Sequence, residues 1–245
     1  MAAIALVTGS ARRIGARIVR ALHARDCRVV IHYRNSEAEA AALAAELNAL
    51  RADSAACLQA DLSDPAAVRR LAAEARACFG GLDLLVNNAS SFYPTPLAEA
   101  SDHDWDELVH SNLRAPFLLS QALADDLARS GRGAIVNLVD VYAEKPLADH
   151  PLYCMAKAGL AMMTKSLARD LGPAVRVNGV SPGPILWPEQ GGADQDAVLK
   201  ASALKRPGDP DDIAGAVTWL ALDAPYVTGQ ILAVDGGRSL ALAGT

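Results

Sequence analysis

The chain has 245 residues, about half of them apolar and 21% charged, with a formal net charge of −5. A mildly acidic chain with no basic cluster is poorly suited to nucleic acid, and no apolar run approaches the ~20 residues needed to cross a bilayer. The four cysteines are scattered, with no Cys/His cluster to hold a metal and no disulfide framework.

The first apolar run, residues 4–8, predicts a buried strand. It ends in Thr8-Gly9-Ser10-Ala11-Arg12-Arg13-Ile14-Gly15, where a helical pattern over 14–24 begins. Gly9 lets the chain turn sharply off the strand, and Gly15 lets the helix pack close to the sheet. The helix N-terminus between them offers N–H groups and a positive dipole end to a pyrophosphate.

A second strand, 28–33, ends in His32-Tyr33-Arg34-Asn35-Ser36. Enzymes that use NAD usually place a carboxylate there for the ribose 2′-hydroxyl. Here Arg34 can pair with a 2′-phosphate, Asn35 and Ser36 can donate to it, and Arg12 can approach from the glycine turn; the set favours NADPH. A helix over 37–50 and a strand over 55–59 lead to Asp61-Leu62. Asp61 can accept from the adenine amino group or cap the next helix, although Ser63 or Asp64 is better placed to cap.

A helix over 66–78 precedes a strand over 82–87, which runs into Asn87-Asn88-Ala89-Ser90-Ser91-Phe92-Tyr93-Pro94. One long helical pattern, 104–130, carries Asn112. The strand at 134–139 ends at Asp140, and the helix at 153–170 opens with Tyr153 and Lys157. Four residues apart, these two share one helix face. A phenol with pKa near 10 is a poor acid at neutral pH; a neighbouring ammonium lowers that value, so Tyr153 can serve in proton transfer. A strand at 176–180 follows. Residues 182–208, from Pro182-Gly183 through Gly191-Gly192 to Gly208, form one long irregular stretch that reads as a lid. A helix over 211–222 and a strand over 231–234 precede Asp235-Gly236-Gly237.

Strands alternating with helices predict a doubly wound α/β sheet, parallel and covered on both faces, with ligands beyond the carboxyl ends of the strands. The whole chain, 1–245, reads as one domain. Its start, Met1 to Val7, is too short and lacks the basic segment expected of a signal peptide. Scattered thiols fit a reducing, cytoplasmic location. The five histidines show no pairing with acids or cysteines and read as bland surface or core residues.

Thr8-Gly9 to Gly15, Asn87-Asn88-Ala89, Asn112, Tyr153 with Lys157, Pro182-Gly183 and Asp235-Gly236-Gly237 resemble, in this order, the short-chain dehydrogenase/reductase family. The resemblance runs from Ile4 to about Leu240. It implies one Rossmann domain with a seven-stranded sheet, usually a homotetramer; we expect its interfaces on the helices at 104–130 and 153–170. It implies catalysis by Tyr153 and Lys157, with Asn112 holding a water beside the lysine. It also implies cofactor contacts from Gly9, Arg12, Arg13, Ile14, Gly15, the run His32 to Ser36, Asp61, Leu62, Asn88, Ala89, Ser90, Tyr153, Lys157, Pro182 and Gly183.

Three departures narrow the resemblance. Arg13 stands where the family's middle glycine would be. Asp140 stands thirteen residues before the tyrosine, where a serine is usual. Asn87-Asn88-Ala89 continues as Ser90-Ser91-Phe92-Tyr93-Pro94. All three resemble the pteridine reductases of this family, which implies pterin contacts from Ser90 and Phe92, the Phe92 ring covering one face and the nicotinamide the other. Arg13, Asp140, Tyr153, Leu186 and Trp187 complete the expected substrate set.

A flat, nitrogen-rich bicycle suits an aromatic platform, and a carboxyl group with a raised pKa can deliver a proton to a ring nitrogen. The expectation is an NADPH-dependent reduction of a dihydropteridine, with no metal, nucleic acid or membrane involved. A carbonyl reductase acting on 3-oxoacyl thioesters is the alternative, against which Asp140 and Arg13 argue. A sensor that binds NADPH without turnover is a third, against which Tyr153, Lys157 and Asn112 argue.

Overall fold

The computed structural model describes residues 2–186 and 195–240. Its elements alternate as expected: β1 (Ile4–Val7), α1 (Arg13–Ala24), β2 (Arg28–Tyr33), α2 (Glu37–Leu50), β3 (Ala55–Gln59), α3 (Pro65–Phe79), β4 (Leu84–Asn87), α4 (Asp102–Val109), α5 (Ala115–Arg129), β5 (Gly133–Leu138), α6 (Pro151–Asp170), β6 (Val175–Pro182), α7 (Gln195–Ala201), α8 (Pro210–Leu222) and β7 (Ile231–Val234). The seven strands form one sheet in the order β3-β2-β1-β4-β5-β6-β7. Every pairing is parallel.

The inner strands are short, apolar and buried on both faces; all six residues of β5 and all four of β4 are buried. Helices therefore cover the sheet twice. On one face, Ile18, Val19 and Leu22 of α1 pack with Leu43 of α2 and Ile213, Val217 and Leu220 of α8. On the other, Val68 and Leu71 of α3 pack with Leu119, Leu123 and Leu127 of α5. The strand order reverses at β1, which pairs with β2 on one side and β4 on the other. That reversal opens a crevice at the carboxyl ends of β1 and β4.

Two elements differ from expectation. The helix expected over 104–130 is interrupted by one wide turn at His110–Arg114, where the Ala115 N–H reaches back to the His110 carbonyl. Pro116 sits in the first turn of α5 and has no N–H to give the preceding turn, which favours such a bulge. Within the stretch 182–208, α7 is a short helix that the irregular reading missed. No helix among the described residues is long and apolar enough to cross a membrane.

Candidate active site

The glycine turn is built as its residues predict. Gly9 has φ +59, and a Cβ there would lie 2.8 Å from the Ala89 Cα. A Cβ on Gly15 would lie 2.5 Å from the Gly9 carbonyl oxygen. Thr8 joins the turn to β4: its hydroxyl accepts from the N–H groups of Asn88 and Ala89, both at 3.0 Å. Asn88 in turn donates to the Thr8 and Gly9 carbonyls at 2.9 and 3.0 Å. Arg13 keeps the left-handed backbone of the glycine it replaces, with φ 54. No described side chain caps α1, and its first turn carries no acid, so its N-terminal N–H groups suit a phosphate.

At the end of β2, Arg34 is half exposed, its guanidinium 3.9 Å from Glu107 of α4. Arg12 lies 3.7 Å from Glu39, both exposed. Asn35 is exposed, and Ser36 precedes α2 without its hydroxyl capping the helix. Tyr33 packs half-buried against the α1/α2 core, as Ile14 does. His32 departs from the expected contact set. Its ring turns inward, buried between Gly9 and Ala60, so its side chain does not face a ligand. Leu62 likewise buries its side chain, among α3 and its neighbours.

Asp61 accepts from the Ser63 N–H and hydroxyl at 2.9 and 2.8 Å, and Asp64 takes the α3 cap. Burial pushes the Asp61 carboxyl up, but those two bonds and the Arg34 charge outweigh it and leave it below its usual range.

Two strands from β1, Asp140 follows β5 and Tyr153 stands in the first turn of α6. The Tyr153 hydroxyl donates to Asp140 Oδ2 at 2.8 Å, while Asp140 Oδ1 accepts from the Tyr142 N–H at 3.0 Å. Burial raises the Asp140 pKa against the pull of those two donors and of Lys157. Lys157 is buried, donates from Nζ to the Leu138 carbonyl at 2.8 Å, and lies 5.6 Å from the Tyr153 ring centre. Burial lowers its pKa to about 8, which Asp140 opposes. Four-residue spacing predicts that Lys157 lowers the phenol pKa. The structure has the reverse: burial, then the Asp140 charge and its hydrogen bond, hold Tyr153 well above 10. The carboxylate accepts the phenolic proton directly, and a direct acceptor outweighs a cation that faces the ring.

Asn112 occupies the wide turn after α4. Its Nδ2 donates to the Ser91 carbonyl at 2.9 Å and its Oδ1 accepts from the Ser90 hydroxyl at 2.7 Å, so it anchors the loop after β4. That loop brings Phe92 to Tyr153, edge-on with ring centres 4.8 Å apart. Phe92 is 42% exposed and also stacks on His150, 4.8 Å away and within 16° of parallel. His150 is therefore a site residue that the bland reading of the histidines passed over; its place just before α6, three residues from Tyr153, was the available signal.

Pro182 ends β6, and the Gly183 N–H donates to the Val234 carbonyl at 3.0 Å. Leu186 is exposed where the irregular stretch begins. Trp187 lies outside the described residues, and no group of acids, histidines and cysteines among the described residues could hold a metal.

A parallel sheet with a glycine turn at its reversal point, and a Tyr–Lys pair two strands away, defines a Rossmann-type nucleotide-binding protein. The family model described as "Enoyl-(Acyl carrier protein) reductase" matches residues 9–239. "Pteridine reductase 1" of Leishmania tarentolae is 38% identical over 280 residues, covering 98% of this chain and 97% of that protein. The "Granaticin polyketide synthase putative ketoacyl reductase 2" of Streptomyces violaceoruber is 37% identical, covering 98% and 97%. Among solved structures, a blue fluorescent protein from a metagenomic library, in complex with NADPH, superimposes with a TM-score of 0.91 at 38% identity, covering 96% of this chain and 97% of that one. The chain belongs to the short-chain dehydrogenase/reductase family, a family of oxidoreductases.

Proposed function

We propose that this protein is an NADPH-dependent pteridine reductase, reducing a C=N bond of a dihydropteridine such as dihydrobiopterin, dihydromonapterin or dihydrofolate to the tetrahydro form. The observation that carries this reading is the 2.8 Å bond from the Tyr153 hydroxyl to Asp140, with the Phe92 ring against the same tyrosine. Reduction of C=N needs a proton at nitrogen. A buried carboxyl with a raised pKa can hold that proton and release it as negative charge develops on the ring nitrogen.

The residues present fit NADPH. The α1 N-terminus lacks a side-chain cap among the described residues, backbone replaces Cβ at Gly9 and Gly15, and Arg12 and Arg34 flank a strand end that carries no acid. NADPH, when bound, supplies the hydride. Arg34, Asn35 and Ser36 hold the 2′-phosphate, Asp61 the adenine, and the turn from Gly9 to Gly15 the pyrophosphate, with Asn88, Ala89, Pro182 and Gly183 closing the backbone around it. Lys157 holds the ribose beside the nicotinamide. Asp140 gives its proton to the ring nitrogen, the Tyr153 hydroxyl stabilises the carboxylate left behind by donating to it, and water restores the carboxyl proton after product leaves. Ser90, Phe92, Arg13, Leu186 and Trp187 bind and orient the pterin.

The near-equal identity to a putative ketoacyl reductase favours one second reading, reduction of a 3-oxoacyl thioester. Asp140 weighs against it, because it replaces the serine hydroxyl that suits a carbonyl oxygen with a carboxyl that suits proton delivery to a ring nitrogen. Initial rates with NADPH should be compared for dihydrobiopterin and an acetoacetyl thioester. Turnover of the pterin at least about tenfold more efficient, 1.4 kcal/mol in transition-state binding, supports the first reading; the reverse order overturns it. We further propose one domain, a homotetramer, and a cytoplasmic location that suits four free thiols.

A further inference from the structure

We propose that His32 is a positioning residue for the cofactor: its imidazole sets the glycine turn that receives the pyrophosphate. This rests on the NADPH reading above. The ring lies at the end of β2, 2% exposed, wedged between the turn after β1 and the end of β3. Nδ1 accepts from the Gly9 N–H at 2.9 Å, and Nε2 meets the Ala60 carbonyl at 3.1 Å. The partners fix the tautomer. An N–H can only donate and a carbonyl can only accept, so the ring proton resides on Nε2. Burial keeps the ring neutral, lowering its pKa to about 4, so Nδ1 remains an acceptor throughout the neutral range.

The His32 backbone carbonyl also accepts from the Ser10 N–H at 2.9 Å. One residue thus holds two successive residues of the turn, Gly9 through its side chain and Ser10 through its backbone. Gly9 is where the chain reverses, at φ +59, and the Ala89 backbone closes its other side. A buried N–H without an acceptor is unfavourable, so without Nδ1 the Gly9 peptide would rotate towards another partner. That rotation would carry along the N–H groups at the start of α1. An apolar strand residue of similar size would fill the space and supply no acceptor. The other end of the ring holds Ala60, next to Asp61, so a single side chain ties the pyrophosphate end of the site to the adenine end.

Two substitutions separate the two ends of the ring. His32→Asn places an amide oxygen near the position of Nδ1 and loses the bond to Ala60. His32→Gln places an amide nitrogen near the position of Nε2 and loses the acceptor for Gly9. NADPH dissociation constants from titration calorimetry, with thermal midpoints alongside, test the proposal. A purely structural histidine would weaken both variants alike, because each loses one buried hydrogen bond. We expect similar midpoints, NADPH affinity within about twofold of wild type for His32→Asn, and a loss of about tenfold for His32→Gln. Equal affinities in the two variants overturn the proposal. If His32→Gln does not fold, a loss of about tenfold in His32→Asn overturns it as well. Wild-type protein that does not bind NADPH overturns the NADPH reading itself, whereas wild-type binding with an unaffected His32→Gln overturns only the role of His32.

Discussion

Asp140 and Tyr153 share one proton-bearing bond, and burial acts on both in the same direction. The raised pKa suits Asp140 to hold a proton for delivery to a substrate that excludes water, whereas Tyr153 becomes a still weaker acid and serves as hydrogen-bond donor to the carboxyl. Lys157 sets the alkaline limit. With its pKa lowered to about 8, it is charged below that pH and neutral above it. The kcat profile should therefore fall above pH ~8, and a flat profile to pH 10 would show that the lysine charge is not needed. In the proposed reading Arg34 sets the preference for NADPH. Its pairing with Glu107 is exposed and loose, so it restrains the guanidinium little. Arg34→Ala should lower kcat/KM for NADPH by about 10- to 100-fold and leave NADH nearly unchanged. An unaltered ratio of the two specificity constants would contradict that role.

His32 has a separate consequence for stability. Its folded pKa is depressed to about 4, below the 6.5 of a free histidine. Between those values the unfolded chain binds more protons than the folded one, so its contribution is full above pH 6.5 and declines as the pH falls towards 4. The decline is worth up to about 3 kcal/mol. Asp140, raised in the fold, opposes it over part of the window. The comparison is therefore between wild type and His32→Asn by denaturant unfolding at pH 7 and 4.5. The variant should lose less stability on acidification, and an identical loss in both proteins would contradict the assignment.

Among the elements, the glycine turn shows a conflict between stability and function. Arg13 holds φ 54, a conformation that burdens a side-chain-bearing residue by about 1 kcal/mol or more. Arg13→Gly should raise stability by about 1 kcal/mol while lowering pterin turnover. Increased stability with unchanged turnover would show that the arginine takes no part in substrate binding.

The strands were legible because a parallel sheet buried on both faces leaves continuous apolar runs, and three of the seven have both bounds at the expected residues. The wide turn after α4 was not legible. Its residues keep helical periodicity throughout, and Pro116 is the only local sign. The orientation of His32 was hidden for a related reason: strand alternation does not say whether a polar residue at a strand end faces the ligand or the turn beneath it. The direction of the Tyr153 shift was hidden because spacing along a helix fixes its relation to Lys157, whereas Asp140 arrives from another strand.

At the scale of the molecule, the helices that cover β4 to β6 keep apolar residues on their outer sides. Phe117 of α5 is 43% exposed, and Met155 and Met162 of α6 are 50% and 64% exposed. Helices apolar on more than their core side suit burial against further copies of the chain. Light scattering at micromolar concentration should give a four-chain mass, and Met162→Glu should shift it towards smaller species. A monomer mass for the wild type would contradict the tetramer.

The most direct test of the proposed chemistry is the rate of dihydrobiopterin reduction by Asp140→Asn, at saturating NADPH, across pH 5–8. The amide keeps the shape of the carboxyl, with one acceptor oxygen in place of two, and cannot release a proton to a ring nitrogen. Expected is a fall in kcat of about 10²–10⁴ with NADPH affinity nearly unchanged. Wild-type turnover by this variant throughout that range would mean that Asp140 is not the acid, and the pteridine reductase reading would lose the observation that carries it.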